Sequence, residues 1–382
     1  YPLIVKSSQT SLMKIKLSDN SLHLNFAPLS LTRPIGDIRI GGLTNAERWK
    51  VLIPNAIISF ETESYLSAKY TVDKGDIIVN ACVLPNQSLA IAIQNLNNNE
   101  QLVLNGKWIA KCGTGDVNIN YVGESIEFIE QRWEIFKKNN WAIKNDFEIL
   151  TNNKTSVQLS STNTIIGDPA LIFMEAGAKV EASILNTTEG PIYLSKNAEI
   201  MEGSCVRGPF FMAESSAVKM GSKIYGPTTL GPHCKVGGEV NNSVFQGYSN
   251  KGHDGFIGNS VIGEWCNLGA DTNCSNLKNN YGSVKTYSYT EKKQVQTDIQ
   301  FMGLMMGDHS KCGINTMFNT ASVVGVSSNV FGADFPAKFI TDFSWGDNST
   351  NFELEKAIES ANNMMARRGE KLSQGEISIF KY

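Results

Sequence analysis

Nothing in this chain reads as a disulfide framework or a zinc site. Its seven cysteines, Cys82, Cys112, Cys205, Cys234, Cys266, Cys274 and Cys312, are odd in number and contain no C-x-x-C pair. Reduced thiols in a cytoplasmic protein are the simpler expectation. Long apolar runs are missing as well: a stretch such as "DIIVNACVL" is far too short to span a bilayer, and the opening "YPLIVKSS" lacks the basic segment and apolar run of a signal peptide. Charge of either sign is scarce, at 19% of residues, and a net of -3 gives no general pull toward nucleic acid or an anionic membrane. An anionic ligand must therefore be held by a local cluster. Histidine occurs only four times, so each one carries weight.

What is abundant instead is Gly, Ser, Thr and Asn, the composition of turn-rich β architectures. A length of 382 residues suggests two or three structural units at roughly 100–200 residues each. The strongest internal signal is a repeat of six. Leu194, Ile200, Val206, Met212, Val218, Ile224, Leu230 and Val236 follow one another at that spacing without a break, each preceded by two positions by a mostly small residue. The pattern restarts at Ile262, Leu268 and Cys274, and again at Cys312, Phe318, Val324 and Val330; a weaker early copy is Ile166, Ile172 and Ala178. A period of six suits neither a helix, at 3.6, nor a lone strand, at 2. It suits a triangular solenoid in which each face is one short strand and the large apolar residue points inward. Three hexads then make one turn, which predicts a left-handed parallel β-helix over about 165–335.

Two breaks interrupt that pattern, a brief one at 240–256 and a long excursion at 280–303, and both predict loops near a functional site. Outside the repeat, residues 1–120 alternate apparent strands ("YPLIV", "IIVNACVL", "KWIAKC") with helical pieces ("NAERWKVL", "SLAIAIQNL"), an α/β pattern. Phe128, Ile129, Trp133, Phe136, Ile143 and Phe147 predict helical arms, and Leu354, Ile358, Ala361 and Met365 predict an amphipathic helix in the tail.

The repeat, the segment "GHDGFIGNSVIGEWCNLGADTNCSNLKNNYGSVK" and the later "GLMMGDHSKCGINTMFNT" resemble the acetyltransferase half of GlmU-like proteins, which are bifunctional sugar-1-phosphate nucleotidyltransferases and amino-sugar acetyltransferases. "GDHSKCGIN" is closest to the archaeal-type branch, and the whole chain is similar to the GlmU-like sugar nucleotidyltransferases of Bacteroidetes. The resemblance implies a reduced α/β nucleotidyltransferase-like domain at 1–124, a helical linker at 125–160, a left-handed β-helix acyltransferase domain at 161–340 and a helical tail at 341–382. It also implies a homotrimer, acetyl-CoA as acyl donor along the groove between coils, and an amino-sugar phosphate or sugar nucleotide as acceptor. Mg²⁺ is implied only if nucleotidyl transfer is retained.

In the family a G-H-L-x-Y-x-G-D segment supplies the general base. Its counterpart is Gly252 to Asn259, so His253 inherits that role, while Phe256 stands where the family has tyrosine and Asn259 where it has aspartate. Asn267, Asn276 and Lys285 are implied contacts to the acceptor, with Lys285 the phosphate ligand, and Lys251, Lys278 and Lys311 are further sources of positive charge. His309, between an acid and a lysine, is a site candidate by its neighbours; His233 reads as a corner residue and His23 as a surface residue of the N-terminal domain. The four cysteines at repeat positions read as small apolar fillers of the coil.

The N-terminal motif is only partly present. Pro28, Leu29, Thr32, Arg33 and Pro34 match the end of the family's G-x-G-T-R-L-x-P-L-T pattern, but "KLSDNSLHLN" before it has no glycine to cradle phosphates. Arg33, Asp37 and Arg39 admit two readings, a sugar or nucleotide contact and a salt-bridged corner. Three functions follow in order of expectation: N-acetyl transfer, nucleotidyl transfer, and a non-catalytic sugar-nucleotide-binding scaffold.

Overall fold

The protein is described by a computed structural model covering residues 12–72, 75–346, 348 and 350–382. The expected first strand, "YPLIV", lies outside the described residues. The N-terminal region is a six-stranded sheet in the order Ile57–Glu61, Lys14–Ser18, Ile77–Asn80, Lys107–Cys112, Glu100–Leu104 and Val117–Asn120. The first three strands are parallel, and Lys107–Cys112 runs antiparallel to both of its neighbours. Helix α1 (Asn45–Leu52) opens with a capping box in which the Thr44 hydroxyl accepts from the Glu47 amide. Helix α2 (Gln87–Gln94) is capped by the Asn86 side chain. Helix α3 (Glu134–Thr151) leads to the repeat region and buries Ile135, Phe136, Ala142 and Ile143.

From Thr164 onward the chain winds as a parallel β-solenoid of the left-handed β-helix type, with three faces. Ile192 pairs with Phe210 and Phe210 with Thr228, an offset of 18 residues that equals three hexads. The lumen is the row of apolar residues given by the repeat, including Leu194, Ile200, Val206, Met212, Val218, Ile224, Leu230 and Val236, all 1% exposed or less. Cys234, Cys266, Cys274 and Cys312 join that core cluster as free thiols. Each strand contributes only two to four residues, so stability comes from stacking on neighbouring coils.

The first break is a contraction of the coil and not an inserted loop. Thr229 pairs with Val244 and Val244 with Val261, so these coils are shorter than 18 residues while the stacking continues. The second break is a hairpin, Lys285–Ser288 against Lys293–Gln296. It folds back onto the N-terminal region: buried Arg132 donates to the Thr286 hydroxyl at 3.1 Å and to the Tyr287 carbonyl, and Tyr287 stacks on Phe339 at 3.5 Å.

The N-terminal region sits on the second solenoid face. Phe173, Tyr193 and Phe211 stack in successive coils at 5.2 and 4.8 Å, and this ladder packs with Ile143 of α3. Val244, Val261, Met305 and Val323 of that face share one core cluster with Ile15, Leu17 and Trp49. Gly42 is tightly placed there, since a Cβ would lie 2.3 Å from the Phe211 ring. Helix α4 (Leu354–Ala366) lays Ala361 and Met365 against Trp265 and Val326, and α5 (Gln374–Phe380), which the repeat gave no reason to expect, closes the same cluster through Phe380.

Candidate active site

The edge between the second and third faces carries a ladder of rings: His233 over Tyr248 at 4.9 Å, Tyr248 over Trp265 at 4.2 Å, and Trp265 toward His309 at 6.4 Å. All four hold left-handed backbone angles, φ 58, 54, 58 and 60, because the edge turns sharply at each coil. Helix α4 lies over this ladder, so that its C-terminal end overhangs the third face. A cleft of about 830 Å³ opens between them.

The cleft floor is the outward row of the third face, where the register sets Lys235, Asn250, Asn267 and Lys311 side by side on successive coils. At about 4.8 Å per strand, Lys235 and Lys311 stand roughly 14 Å apart along it. Lys219, Arg367 and Arg368 add charge around Lys235, and among the described residues no carboxylate lines the cleft. Among the described residues none of these four cations makes an ion pair with an acid. Burial, followed by the charges of Arg368, Lys219 and Arg367, lowers the pKa of Lys235. The cluster is uncompensated, and an anion would relieve it.

His253 reaches the cleft from the corner joining the third face to the first. Of the two glycines around His253, Gly255 is the one the backbone requires. A Cβ on Gly252 would meet nothing within 4 Å, leaving the cleft open beside the ring. Gly255 has φ +110, and a Cβ there would lie 2.2 Å from the Thr272 carbonyl oxygen. His253 is exposed, as is Asn267 on the floor.

The other residues singled out in the sequence are elsewhere. Phe256 and Asn276 meet on the first face around Gly258, with the Asn276 amide donating to Asn259 Oδ1 at 2.7 Å. Lys285 is in the hairpin, where its carbonyl accepts from Lys338 at 3.0 Å. His309 is 7% exposed, edge-on to Phe380 at 5.3 Å, and burial pushes its pKa down to about 4. It is part of the wall behind Trp265 and does not line the cleft. His233 is the corner residue expected, but His23 is no surface residue: at 2% exposure it bonds Asp19 at 2.7 Å. Lys251 lies inside the coil at 1% exposure and Lys278 donates to the Ser283 carbonyl at 3.3 Å, so neither lines the cleft. The cations missed were Lys219, Lys235, Arg367 and Arg368. Lys235 was legible as an outward position beside lumen Val236; the two arginines carried no signal, since nothing in the tail says where α4 docks.

The N-terminal motif residues serve the junction. Arg33 is buried and pairs with Glu264 at 3.0 Å and with Asp308, both from the solenoid, while Thr32 donates to Asp308 at 2.6 Å. Arg39 pairs with Glu47 at 3.0 Å, and its backbone exchanges bonds with the Gln246 side chain. Asp37 accepts from the Tyr70 hydroxyl at 3.0 Å. Of the two readings of these residues, the geometry is that of the salt-bridged corner. A Mg²⁺ ion has little to hold it here. Asp19, at the end of the first described strand, accepts from the Ile35 amide on Oδ1 and contacts His23 and Thr62 through Oδ2. Among the described residues no group of three metal-ligating side chains gathers.

Fold and cleft together define the class: a hexapeptide-repeat β-helix joined to a nucleotidyltransferase-like α/β domain. Parts of the chain are similar to sugar nucleotidyltransferases and to GlmU-type bifunctional proteins. Residues 15–155 match the family described as sugar nucleotidyl transferase. The chain is 28% identical over 215 residues to the bifunctional sugar-1-phosphate nucleotidylyltransferase/acetyltransferase of Sulfurisphaera tokodaii, covering 56% of this chain and 46% of that one. It is 33% identical over 87 residues to the bifunctional protein GlmU of Methanocaldococcus jannaschii, covering 23% and 21%. The chain thus spans less than half the length of these relatives. Among solved structures, the UDP-N-acetylglucosamine acyltransferase of Campylobacter jejuni aligns with 59% of this chain and 95% of its own, at 12% identity and a TM-score of 0.22, a value too low to carry an argument. No helix among the described residues is long and apolar enough to cross a membrane.

Proposed function

We propose that the chain is a transferase, an acyl-CoA-dependent N-acyltransferase acting on an amino-sugar 1-phosphate or a nucleotide-activated amino sugar, with His253 as general base. The observation that carries this reading is the gathering of an exposed histidine, an amide side chain and five cations in one cleft without a carboxylate. An acceptor ammonium must lose a proton before its nitrogen attacks the thioester carbon, and an imidazole near neutrality suits that step. The C–N bond forms and the carbonyl oxygen becomes an oxyanion; collapse breaks the C–S bond, the proton on His253 passes to the departing thiolate, and the second proton of the former ammonium is released from the nitrogen to solvent. The Asn267 amide, exposed on the floor of the cleft, would donate to a developing oxyanion. The Lys219, Lys235, Arg367 and Arg368 cluster suits the phosphates of an acyl-CoA, and Lys311 at the far end suits a sugar phosphate.

Phe256, Asn259 and Asn276 lie around the edge from His253, so they would contribute to the acceptor site through a neighbouring subunit. The homotrimer implied by the resemblance supplies one. Acetyl-CoA consumption with glucosamine 1-phosphate and related amino sugars, for the wild type and His253→Ala, tests the reading. Loss of a general base is expected to lower the rate about 10²- to 10⁴-fold; no turnover with any amino sugar, or a fully active variant, would overturn it. The match over 15–155 favours nucleotidyl transfer as a second reading, for which Mg²⁺-dependent pyrophosphate release from UTP or dTTP is the assay. The buried state of Arg33 weighs against it.

A further inference from the structure

Lys251 is a lysine inside an apolar tube. It pairs with Val236 of the preceding coil, at the register position that the repeat reserves for large apolar residues, and is 1% exposed. Taking an ammonium out of water is costly, and a methionine or leucine would fill the same lumen without that cost. The compensation is specific. Nζ donates to the Gly237 carbonyl at 2.9 Å and to the His253 carbonyl at 2.7 Å, which belong to the corners of two successive coils. Among the described residues it has no carboxylate partner within ion-pair distance.

The corner it reaches needs such a tie. The Asp254 and Gly255 carbonyls of this corner accept from the Asp271 and Glu239 amides, each at 3.1 Å, which leaves the His253 carbonyl to Lys251, and no hydrogen bond holds the His253 ring among the described residues. The corner above is contracted to Gly237–Gly238 and stacks closely: the Gly237 amide donates to the Lys251 carbonyl at 2.7 Å, and a Cβ on Gly237 would lie 2.7 Å from the Gly252 carbonyl oxygen. Lys251 is not itself a candidate to meet substrate, since its side chain is enclosed and its bonds point to backbone.

We propose that Lys251 is the positioning residue for His253, holding the His253 carbonyl and tying its corner to the one above so that the imidazole faces the cleft in a single orientation. This rests on the reading of His253 as the base. Lys251→Met keeps the length and fills the lumen but donates nothing; Lys251→Gln retains a donor. A loosened base is expected to lower kcat about 10²-fold in Lys251→Met, with KM for acetyl-CoA within about twofold and Lys251→Gln intermediate. With four histidines in the chain, ¹³C-histidine labelling resolves the His253 ring, assigned with His253→Gln. One sharp signal is expected in the wild type, and a broadened or split one in Lys251→Met.

Wild-type kcat together with an unchanged His253 signal in Lys251→Met would overturn the proposal. If His253→Ala proves fully active, the general-base reading falls while the ring signal still decides whether Lys251 orders the corner. Should Lys251→Met fail to fold by circular dichroism, the same two measurements on Lys251→Gln decide: a reduced kcat with a broadened ring supports the proposal, and wild-type values for both overturn it.

Discussion

Replacing Arg33 by alanine would strip the guanidinium that pairs with two solenoid carboxylates at the buried junction between the two halves of the molecule. Arg33 bridges Glu264 at 3.0 Å and Asp308; the two carboxylates are also close to each other, since Asp308 Oδ1 accepts from the Glu264 amide at 2.7 Å. Removing one partner of a buried pair leaves an uncompensated charge and typically costs about 3–5 kcal/mol. The lowered pKa of Glu264 points the same way, with Lys69 and Arg39 adding to the effect of Arg33. Burial alone would raise its pKa, but the Arg33 charge and hydrogen bond hold it at about 2, against 4.5. At 1.36 kcal/mol per unit this is roughly 3 kcal/mol, reduced to about 2 because the side chain is 28% exposed. A depressed acid stabilises above its unfolded pKa and loses that contribution as pH falls, so the penalty of Arg33→Ala should be full above pH 5 and shrink toward pH 2. Urea unfolding followed by tryptophan emission and circular dichroism, at pH 7 and pH 4, measures both. A loss under about 1 kcal/mol at pH 7, or a loss unchanged at pH 4, would refute the clamp.

Other consequences follow from the same packing. Leu230→Ala, a lumen residue with no exposure, should lower stability by about 2–5 kcal/mol in the same denaturation assay. Gly255→Ala places a Cβ 2.2 Å from the Thr272 carbonyl oxygen at φ +110; a penalty of about 1–3 kcal/mol and a fall in acyl transfer are expected from thermal midpoints and rates. Arg367→Ala with Arg368→Ala should weaken acetyl-CoA binding about tenfold and flatten its salt dependence, read by calorimetry at two ionic strengths. A thiol reagent should modify exposed Cys205 quickly and half-buried Cys112 slowly. It should reach Cys82, Cys234, Cys266, Cys274 and Cys312 only after denaturation, burial having pushed Cys234 up to about 12.

The solenoid was legible residue by residue because its rule is local. Each inward position, from Leu194 to Val236, faces its counterpart 18 residues away, so the packing repeats along the sequence itself. The same locality made His253 stand out between its glycines. It failed where a position kept its place in the register and changed its chemistry: Lys251 reads as one more surface lysine unless the coil is known to contract at Gly237–Gly238 and bring two carbonyls to its ammonium. It also failed for His23, whose burial depends on Asp19 and Thr62 from separate parts of the N-terminal sheet.

The sequence by itself determined the period, the three-sided coil and the inward set from Leu194 to Val236, since those follow from side-chain alternation on neighbouring rungs; the early copy at Ile166, Ile172 and Ala178 was out of register, because Met174 and Val180 are the residues aligned with Leu194 and Ile200. Tertiary structure alone decided that α4 overhangs the third face, that Arg367 and Arg368 join Lys219 and Lys235 across more than a hundred residues, and that Arg33 pairs with Glu264 and Asp308 across the junction. Such contacts depend on which distant surfaces bury each other, and no spacing along a chain records that.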